Sequence, residues 1–559
     1  MALVTKNLYR APVNLAHADR ASEIIGCAPD AAETFSPDEN GNFITVLPGW
    51  GDHSYKVSTA NDSAQIYFNQ GLTMYYSYHP KEATASFKEA AKFDSTCAMA
   101  HWGQALAMGP TYNGGYSYKM DKNVPGVIEL MNHNAEHCTA KEKDLISAMN
   151  TRYNLIDAAD NERKQLNRNY AEAMGPLVSK YPGDPDIKAL FVDAVMLVHP
   201  WDFWNNDGSS KSWTPELVQY CKEILEKDPH HPAGLHYYIH VTEASRTPEV
   251  ALPSADSLRK LFPGVAHMVH MSSHEYERIG YYANGTDAND EADRSLGQYA
   301  SLAHELNLNI HASHYYAVYT YCALSGGMYK KALKQATALR NLIHPSHENT
   351  YDQYSYMFPL LAMVRMGKWQ DIINDNSSIN TDWTYAGILN DFAKGMAYAK
   401  TGDYDQAEKY LLQLQEKQKD TILQVRFIPH VSSPYSCSII AENILIANIA
   451  FNKKNYNDAF AAINKAIAAE NGLIYAEPNS WILPARQYLG AFLLRLGKPA
   501  EAEKIYREDL IRNPGNGWSL LGLYQSLEAQ KKTSELVKLK PVFMNSFSRA
   551  DSLPSTSAY

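Results

Sequence analysis

A recurring pattern of small residues constrains the fold of this chain more than any other feature of its sequence. In each set, a glycine or alanine is followed 12 residues later by an alanine, and 4 residues after that by a large apolar residue. The sets begin at Gly71, Gly395, Ala447 and Gly490. Small residues at these positions let two antiparallel helices approach closely, and the period is about 34 residues. Helix pairs of this kind bury their apolar faces only against their neighbours, so we predict an all-α solenoid.

Proline and glycine divide the chain into two regions. Residues 1–60 carry four prolines and are predicted to form an irregular lead-in with one short strand at 43–47. Residues 61–559 show helical periodicity interrupted by glycine and proline turns, and they are predicted to form the solenoid. Its centre, at about residues 230–320, is rich in histidine, because eight of the 20 histidines lie between His236 and His314.

Composition and missing motifs exclude several classes of function. The 559 residues carry a formal charge of −10 without a basic run, which argues against a general nucleic-acid-binding surface. No stretch reaches about 18 consecutive apolar residues, so no membrane span is predicted. The six cysteines lie far apart without a CxxC pair, and they indicate neither a thiolate zinc site nor a disulfide framework. The phosphate-binding patterns GxGxxG and GxxxxGKS/T do not occur, so no nucleotide cofactor is expected.

Three short histidine motifs distinguish this chain from a generic helical repeat. They comprise His236, His240 and Glu243 in the first motif, His267, His270 and His274 in the second, and His311 and His314 in the third. Spacings of three and four residues place the side chains of each motif on one face of a helix. The repeat register puts all three motifs on the first helices of consecutive pairs, whose axes stand about 8–10 Å apart. Imidazoles from neighbouring helices can therefore converge.

Convergent imidazoles favour a transition-metal site over isolated structural histidines. The predicted ligands are His236, His240, His270, His274 and His314, with His267 and His311 as outer or second-site ligands. In particular, we expect nitrogens of His236, His240 and His274 to lie within about 5 Å of one another, so that they can share one ion. The alternative is a buried polar network in which imidazoles, Tyr237, Tyr238 and Glu243 satisfy each other's hydrogen bonds.

The donor set narrows the choice of metal. Imidazoles with one carboxylate suit copper, zinc, iron or nickel better than magnesium or calcium. Met268 and Met271 place soft sulfur nearby and favour copper first, with zinc or iron next, although both fall on other faces of their helix. Seven histidines exceed one tetrahedral site, so either some orient the ligands or two ions share the groove. Glu243 is predicted to act as a general base or to orient a ligand imidazole.

Aromatic residues near the motifs are candidates for contacts with a substrate. Trp201 and Trp204 are predicted to wall a substrate pocket, with packing beneath a loop as the alternative. Tyr276 and Tyr315 flank the second and third motifs and are predicted to contact the substrate. Tyr237 is predicted to take part in catalysis with Glu243.

Several segments resemble a family of bacterial tetratricopeptide-repeat proteins. They are FNQGL at 68–72, HYYIH at 236–240 and HMSSH at 270–274, together with 97–103, 181–186 and 481–518. The resemblance covers roughly residues 57–551 and implies an α-solenoid that is often exported, without a settled substrate. The family typically shows proline where Ser272 stands and His-Asn-x-His at 311–314, where this chain keeps both histidines. Residues 1–6 contain no apolar signal segment, so the compartment stays open between the cytoplasm and, after removal of a leader, the periplasm.

Two functions from different classes follow from these patterns. The first is a metal-dependent enzyme, in which oxidation of a small molecule or peptide in the groove is favoured over metal-dependent hydrolysis. The second is a scaffold that holds a peptide or protein partner, with structural or pH-responsive histidines.

Overall fold

The computed structural model describes residues 36–113, 118–154, 160–302, 306 and 312–559, and this part of the chain is mostly helical. The N-terminal helices are α1 (Asp62–Tyr76), α2 (Pro80–Phe93), α3 (Ala98–Ala107), α4 (Val124–His133), α5 (Ala140–Asn150), α6 (Asp160–Lys180), α7 (Pro185–Val198) and α8 (Thr214–Lys227). The central helices are α9 (Pro232–Thr242), α10 (Leu252–Leu261), α11 (Ala266–Ile279), α12 (Tyr282–Leu302), α13 (Ser313–Ser325) and α14 (Tyr329–Leu342).

The C-terminal helices complete the stack. They are α15 (Thr350–Tyr356), α16 (Phe358–Arg365), α17 (Trp369–Asn374), α18 (Thr384–Thr401), α19 (Tyr404–Lys417), α20 (Pro434–Asn452), α21 (Tyr456–Glu470), α22 (Ala485–Arg495), α23 (Pro499–Arg512), α24 (Gly517–Ala529) and α25 (Thr533–Ser546). Short 3-10 helices lie at Asn134–His137, Pro248–Ala251 and Thr421–Gln424.

Consecutive helices joined by short turns pack against each other along the described chain, which confirms the predicted all-α, tetratricopeptide-like solenoid. The small residues of the sequence pattern lie where the helices of a pair touch. At Gly490 in α22, an added Cβ would stand 2.3 Å from the ring of Tyr506 in α23. Glycine at this position therefore lets the aromatic ring fill the space between the two helices.

The lead-in contains no strand at residues 43–47, so that prediction is wrong. The segment is extended, but its backbone donors bind side chains of the first helix pair. Phe43 N–H donates to Glu89 Oε2 at 2.8 Å, and Leu47 N–H donates to Gln70 Oε1 at 2.8 Å. Because α1 and α2 supply these acceptors, the segment needs no strand partner.

The C-terminal repeats curve back onto the central repeats. Trp518 Nε1 in α24 donates to the Ser325 carbonyl at the end of α13 at 3.0 Å. Asn206 Nδ2, between α7 and α8, donates to the Asn471 carbonyl after α21 at 3.1 Å. The closure brings the segment that follows α21 close to the histidine-bearing helices.

A tight backbone contact sits at this closure. Gly515 has a φ of +70°, and an added Cβ would stand 2.2 Å from the Ile279 carbonyl oxygen at the end of α11. Gly497 shares the backbone conformation, with a φ of +72°, but no heavy atom lies within 4 Å of its added Cβ.

We expect Gly515→Ala to lower the free energy of unfolding more than the matched control Gly497→Ala. In the control, alanine encounters only the strain of the left-handed backbone conformation, which costs about 1–2 kcal/mol. The closure variant must also separate two backbones, which adds about 1–3 kcal/mol. Urea unfolding followed by circular dichroism measures both, and equal midpoints for the two variants would contradict the closure.

Among the described residues, α20 is the one helix with the length and hydropathy that a membrane span requires. In its apolar stretch, 78% of the helix is buried inside the fold. Burial of this kind is typical of a core helix in a repeat stack, so the helix is weak evidence for a span.

Candidate metal centre

Three neighbouring central helices carry the described histidines of the motifs. His236 and His240 lie on α9, three histidines lie on α11, and His314 lies at the start of α13. The helices α9 and α11 are in contact, and so are α11 and α13. All six side chains are buried, and they form two groups of three.

The first triad consists of His236, His240 and His267. The Nε2 atom of His236 lies 3.1 Å from Nε2 of His240 and 3.1 Å from Nε2 of His267. Two nitrogens bound to one ion at about 2.0–2.1 Å with tetrahedral angles stand about 3.3 Å apart. The spacing in the first triad is therefore close to that of ligands around one metal ion.

The second triad consists of His270, His274 and His314. The Nε2 atom of His274 lies 2.9 Å from Nε2 of His270 and 3.3 Å from Nε2 of His314. The two triads are adjacent, because the ring centroids of His267 and His270 are 6.0 Å apart on the same helix.

Glu243 joins the two triads through the outer nitrogens of two imidazoles. Its Oε1 lies 3.1 Å from Nδ1 of His240, and its Oε2 lies 3.1 Å from Nδ1 of His274. A carboxylate oxygen of Glu477 lies 3.5 Å from the same His274 nitrogen. Burial raises the pKa of Glu243, while its contacts with His274 and Arg278 oppose that shift. In its ionised form the carboxylate only accepts hydrogen bonds, so ionised Glu243 orients one ring of each triad with Nδ1 protonated.

Two further imidazoles are oriented in the same way. Nδ1 of His236 lies 2.6 Å from the Tyr76 carbonyl oxygen, which can only accept. Nδ1 of His270 lies 2.7 Å from Asn289 Oδ1, while Asn289 Nδ2 donates to the Gly285 carbonyl at 2.9 Å. His236 and His270 therefore carry their proton on Nδ1 and turn an unprotonated Nε2 towards the centre of a triad. His240 and His274 do the same when Glu243 is ionised.

Burial keeps these imidazoles neutral. It lowers the pKa of His240 to about 3 and the pKa of His274 and His314 to about 4. The pKa of His236, His267 and His270 also falls well below the ordinary value, first through burial and then through neighbouring imidazoles. Neutral imidazole is the form that binds metal ions.

Lone pairs consequently face each other inside both triads. With Glu243 ionised, the pairs His236–His240 and His270–His274 each bring two unprotonated Nε2 atoms to 3.1 and 2.9 Å, with no proton between them. Such contacts are repulsive unless a cation lies between the nitrogens. This arrangement suits metal coordination better than the alternative of a self-satisfied polar network.

A third buried group, His53, Asp186 and His231, has a different pattern. Asp186 Oδ1 lies 3.0 Å from His53 Nε2 and 3.4 Å from His231 Nε2. His231 Nδ1 accepts from the Gly234 N–H at 3.2 Å, so the proton of that ring is on Nε2, facing the carboxylate. In this group His53 is hydrogen-bonded to Asp186 and the His231 proton faces the same carboxylate oxygen, whereas a metal would need the His231 proton on the other nitrogen.

The grouping of the histidines differs from the sequence expectation. His236 and His240 lie together as expected, but their third member is His267, and His274 belongs to the second triad. His267 was expected as an outer ligand. His311 lies outside the described residues, so its predicted role stays a prediction.

A small cavity of about 30 Å³, here called the histidine cavity, borders both triads. Its lining includes His240, His267, His274 and His314, and a stacked pair of rings, Trp201 and His430, closes one side. The two rings of that pair are 3.8 Å apart and nearly parallel. A space of this size holds about one water-sized molecule, so only a small ligand fits there.

Two strained residues flank this region. Tyr78 and Trp201 have φ values of +54° and +56°, which are unfavourable for non-glycine residues. The ring of Tyr78 lies 4.6 Å from that of His236, and Trp201 stacks on Tyr112 at 4.2 Å. Strain of this kind concentrates at functional sites.

The predicted aromatic residues occupy different places. Trp201 borders the histidine cavity, and Trp204 borders a second, larger cavity. The ring of Tyr315 stacks on His270 at 4.1 Å and supports the second triad. Tyr276 faces α10, because its hydroxyl donates to Asp256 at 2.6 Å.

Tyr237 lies behind the first triad. Its ring stacks on Tyr78 at 5.8 Å and meets Tyr76 edge to face. The residues that line the histidine cavity do not include Tyr237. The structure thus gives Tyr237 a packing position, away from the point where the Nε2 atoms converge.

Sequence reasoning missed His430 and Asn289, and it did not connect Glu477 with the histidines. His430 and Glu477 lie in segments before α20 and after α21, far from the motifs in sequence. No local spacing rule links them to α9 or α11. Asn289 could in principle be predicted from the sequence, because it lies on α12, which pairs with the histidine-bearing helix α11 in one repeat.

We expect Asn289→Ala to weaken metal binding at the second triad by about tenfold to a hundredfold, because His270 loses its orienting acceptor. Asn448→Ala is the matched control: Asn448 is also buried in a helix, and its Nδ2 donates to the carbonyl four residues earlier at 2.8 Å. Competition with a chelator measures both affinities. Equal losses in the two variants would show that Asn289 is merely structural.

Comparisons with known proteins give little beyond the repeat architecture. No protein-family profile and no curated protein matches the sequence. Among solved structures, the human IFIT1 dimer with m7Gppp-AAAA is 11% identical over 97% of this chain and 98% of that chain, with a TM-score of 0.32. Yeast Tom70 is 11% identical over 88% of each chain, with a TM-score of 0.27. Similarity at this level carries no information about function.

Proposed function

We propose that this protein is a metalloenzyme whose two histidine triads bind a pair of transition-metal ions, and that it oxidises a small molecule or peptide. The observation that carries the proposal is the close approach of imidazole Nε2 atoms in both triads. With Glu243 ionised, four rings are oriented through Nδ1, so their Nε2 lone pairs converge at about 3 Å in two adjacent centres. Cations between these nitrogens remove the repulsion.

Copper is the first choice of metal. The six inward nitrogens are all imidazole, and the nearby carboxylates of Glu243 and Glu477 contact the outer nitrogens. Imidazole suits copper, zinc, iron and nickel, and an oxygen-poor ligand set argues against magnesium, calcium and manganese. Met271 also borders the histidine cavity and adds a soft, polarizable side chain. Zinc and iron are the next choices.

Three protein ligands per ion leave open coordination positions. A copper pair would take two electrons from the substrate and pass them to dioxygen, which together with the two protons released by the substrate would form hydrogen peroxide. The residues of this chain supply the remaining functions: Glu243 fixes one ring in each triad, and Trp201 with His430 closes the histidine cavity. The small volume of that cavity admits a diatomic molecule or water and excludes an organic substrate.

A binding protein without chemistry is the second candidate. The closure of the solenoid encloses a larger cavity of about 860 Å³ next to the triads, which is large enough for a small organic ligand or a short peptide segment. In this case the histidines would be structural, and the protein would stay metal-free under loading.

Elemental analysis separates the two candidates. The protein is loaded under anaerobic conditions with copper, zinc or iron, dialysed, and analysed for bound metal. We expect about two copper ions per chain, one per triad. Protein that retains no metal above the level of an unloaded sample contradicts the enzyme. Bound zinc with no retained copper or iron favours hydrolysis over oxidation.

A further inference from the structure

The cavity of about 860 Å³, here called the arginine cavity, lies between the central and C-terminal repeats. Trp204 borders it from the segment between α7 and α8 and Arg246 from the segment after α9, while Arg486 and Arg512 border it from the C-terminal repeats. Trp201 and His430 line both this cavity and the histidine cavity. The stacked Trp201–His430 pair is therefore the wall between the two spaces.

Arginine side chains dominate the polar lining. They are Arg246, Arg278, Arg426, Arg486 and Arg512. Arg278 and Arg486 are only 7% and 9% exposed, so their charges are largely removed from water. A protein with a formal charge of −10 thus concentrates positive charge at one internal surface.

Several of these guanidinium groups donate to neutral oxygens. Arg278 Nε donates to the Glu243 carbonyl at 2.8 Å, and Arg246 Nη2 donates to the Asn206 carbonyl at 2.5 Å. Arg486 Nη1 donates to Asn471 Oδ1 at 3.0 Å. Carbonyl and amide oxygens satisfy N–H groups of Arg246 and Arg486 without neutralising their charge, so a ligand anion gains from the excess. The charge of Arg278 already acts on the carboxyl groups of Glu243 and Glu477.

The acidic residues of the lining offset little of this charge. Asp202 forms an ion pair of 2.9 Å with Lys211, which occupies both groups. Burial, followed by the nearby Asp509, raises the pKa of Glu470 to about 8, so this carboxyl is mostly uncharged at neutral pH. Asp207 is exposed and hydrogen-bonded to Ser209 at 2.6 Å, and its attraction for Arg246 is weaker than the repulsion that Arg512 and Arg278 exert on that residue. Burial, together with Arg512 and Arg278, lowers the pKa of Arg246 to about 10, as expected for crowded cations.

Aromatic surfaces complete the cavity. Trp201, Trp204, Trp481 and Tyr475 border it, so an apolar ligand body has flat rings to contact. Trp204 Nε1 donates to the Val241 carbonyl at 2.8 Å, which fixes the ring beside α9. The cavity therefore offers a cationic region and an aromatic region that leads to the wall of the histidine cavity.

We propose that the arginine cavity binds an organic carboxylate, with the carboxylate on Arg246 and Arg486 and an aromatic or apolar body towards Trp201. Guanidinium groups recognise planar carboxylates through paired hydrogen bonds. The role of this ligand as the substrate rests on the proposed function, since only the metal pair would oxidise it. Its binding does not require metal.

The test uses the metal-free full chain and two probes of the same shape, 3-phenylpropanoate and its neutral amide. Calorimetry should show that the carboxylate binds and that the amide binds at least about tenfold more weakly. The neutral amide gives the buried arginine side chains no anionic partner. In the double variant Arg246→Gln/Arg486→Gln the carboxylate should also bind at least about tenfold more weakly. The matched control is Arg495→Gln, at the other end of α22. It should bind the carboxylate as tightly as the unaltered protein does, since Arg495 stacks on Phe451 outside the cavity.

Three results would overturn this proposal: equal affinities for the acid and the amide, unchanged affinity in the double variant, or no binding of either probe up to about 10 mM. The acid–amide comparison uses the unaltered protein, so it holds even where the double variant does not fold. Metal content, measured on separate loaded samples, reports on the proposed function independently of these results.

Discussion

His240→Ala is expected to reduce the copper content from about two ions per chain to about one, because the first triad keeps only two ligands. His274→Ala should have the same effect through the second triad, and the double variant should bind neither ion. Oxygen-dependent turnover should fall at least about a thousandfold in each single variant, since the reaction needs both ions. Elemental analysis and oxygen-uptake measurements, with circular dichroism to confirm folding, provide the readout.

The matched control is His53→Gln. His53 is also buried and belongs to a group of three potential ligands, but its Nε2 is already hydrogen-bonded to Asp186. We expect this variant to keep about two copper ions and to lose only stability, by about 1–3 kcal/mol. Should His53→Gln lose metal as His240→Ala does, the distinction between hydrogen-bonded and metal-binding histidines fails.

The second large effect concerns Glu243. Its carboxylate accepts from one imidazole of each triad at 3.1 Å, so a single substitution disturbs both centres. In Glu243→Gln the amide nitrogen must face one of the two Nδ1–H groups, and that ring has to turn or change its tautomer. We expect affinity at both sites to fall by about tenfold to a hundredfold, measured by chelator competition.

Glu275→Gln is the control for this substitution. Glu275 is a buried residue of α11, and burial raises the pKa of its carboxyl to about 9, so it is already neutral at pH 7. An amide of the same shape should therefore leave metal affinity unchanged. A loss confined to one triad in Glu243→Gln would show that the carboxylate does not connect the two centres.

Two simple rules are enough to predict from the sequence which helices bring their histidines together. Spacings of three and four fix the face of each helix, and the repeat period fixes which helices are neighbours. Together they predict that imidazoles of α9, α11 and α13 meet. They also predict the all-α solenoid, which the helix order confirms.

The division into two triads does not follow from these rules. His267 and His274 are about two helical turns apart on α11, roughly 10 Å along its axis, so one helix contributes to two centres. His240 and His274 are 34 residues apart, which is one repeat period, and the sequence-based prediction therefore assigned them to the same ion. The spacing identifies equivalent helices, but it contains no information on where each ring meets the adjacent helix.

The return of the C-terminal repeats onto the central repeats explains why sequence patterns did not reveal the other residues near the triads. His430 and Glu477 reach the histidines because the C-terminal repeats curve back, and contacts such as Trp518 with Ser325 hold that curvature. Each such contact joins residues far apart in the chain, and the local periodicity of a helix does not encode it. The arginine cavity arises from the same closure.

Anomalous diffraction from crystals of the copper-loaded protein at the copper absorption edge tests the central claim most directly. We predict two peaks per chain, one about 2.0–2.1 Å from the Nε2 atoms of His236, His240 and His267, and one at the same distance from those of His270, His274 and His314. A single peak, or peaks only at surface residues with the two triads free of metal, would contradict the dinuclear centre.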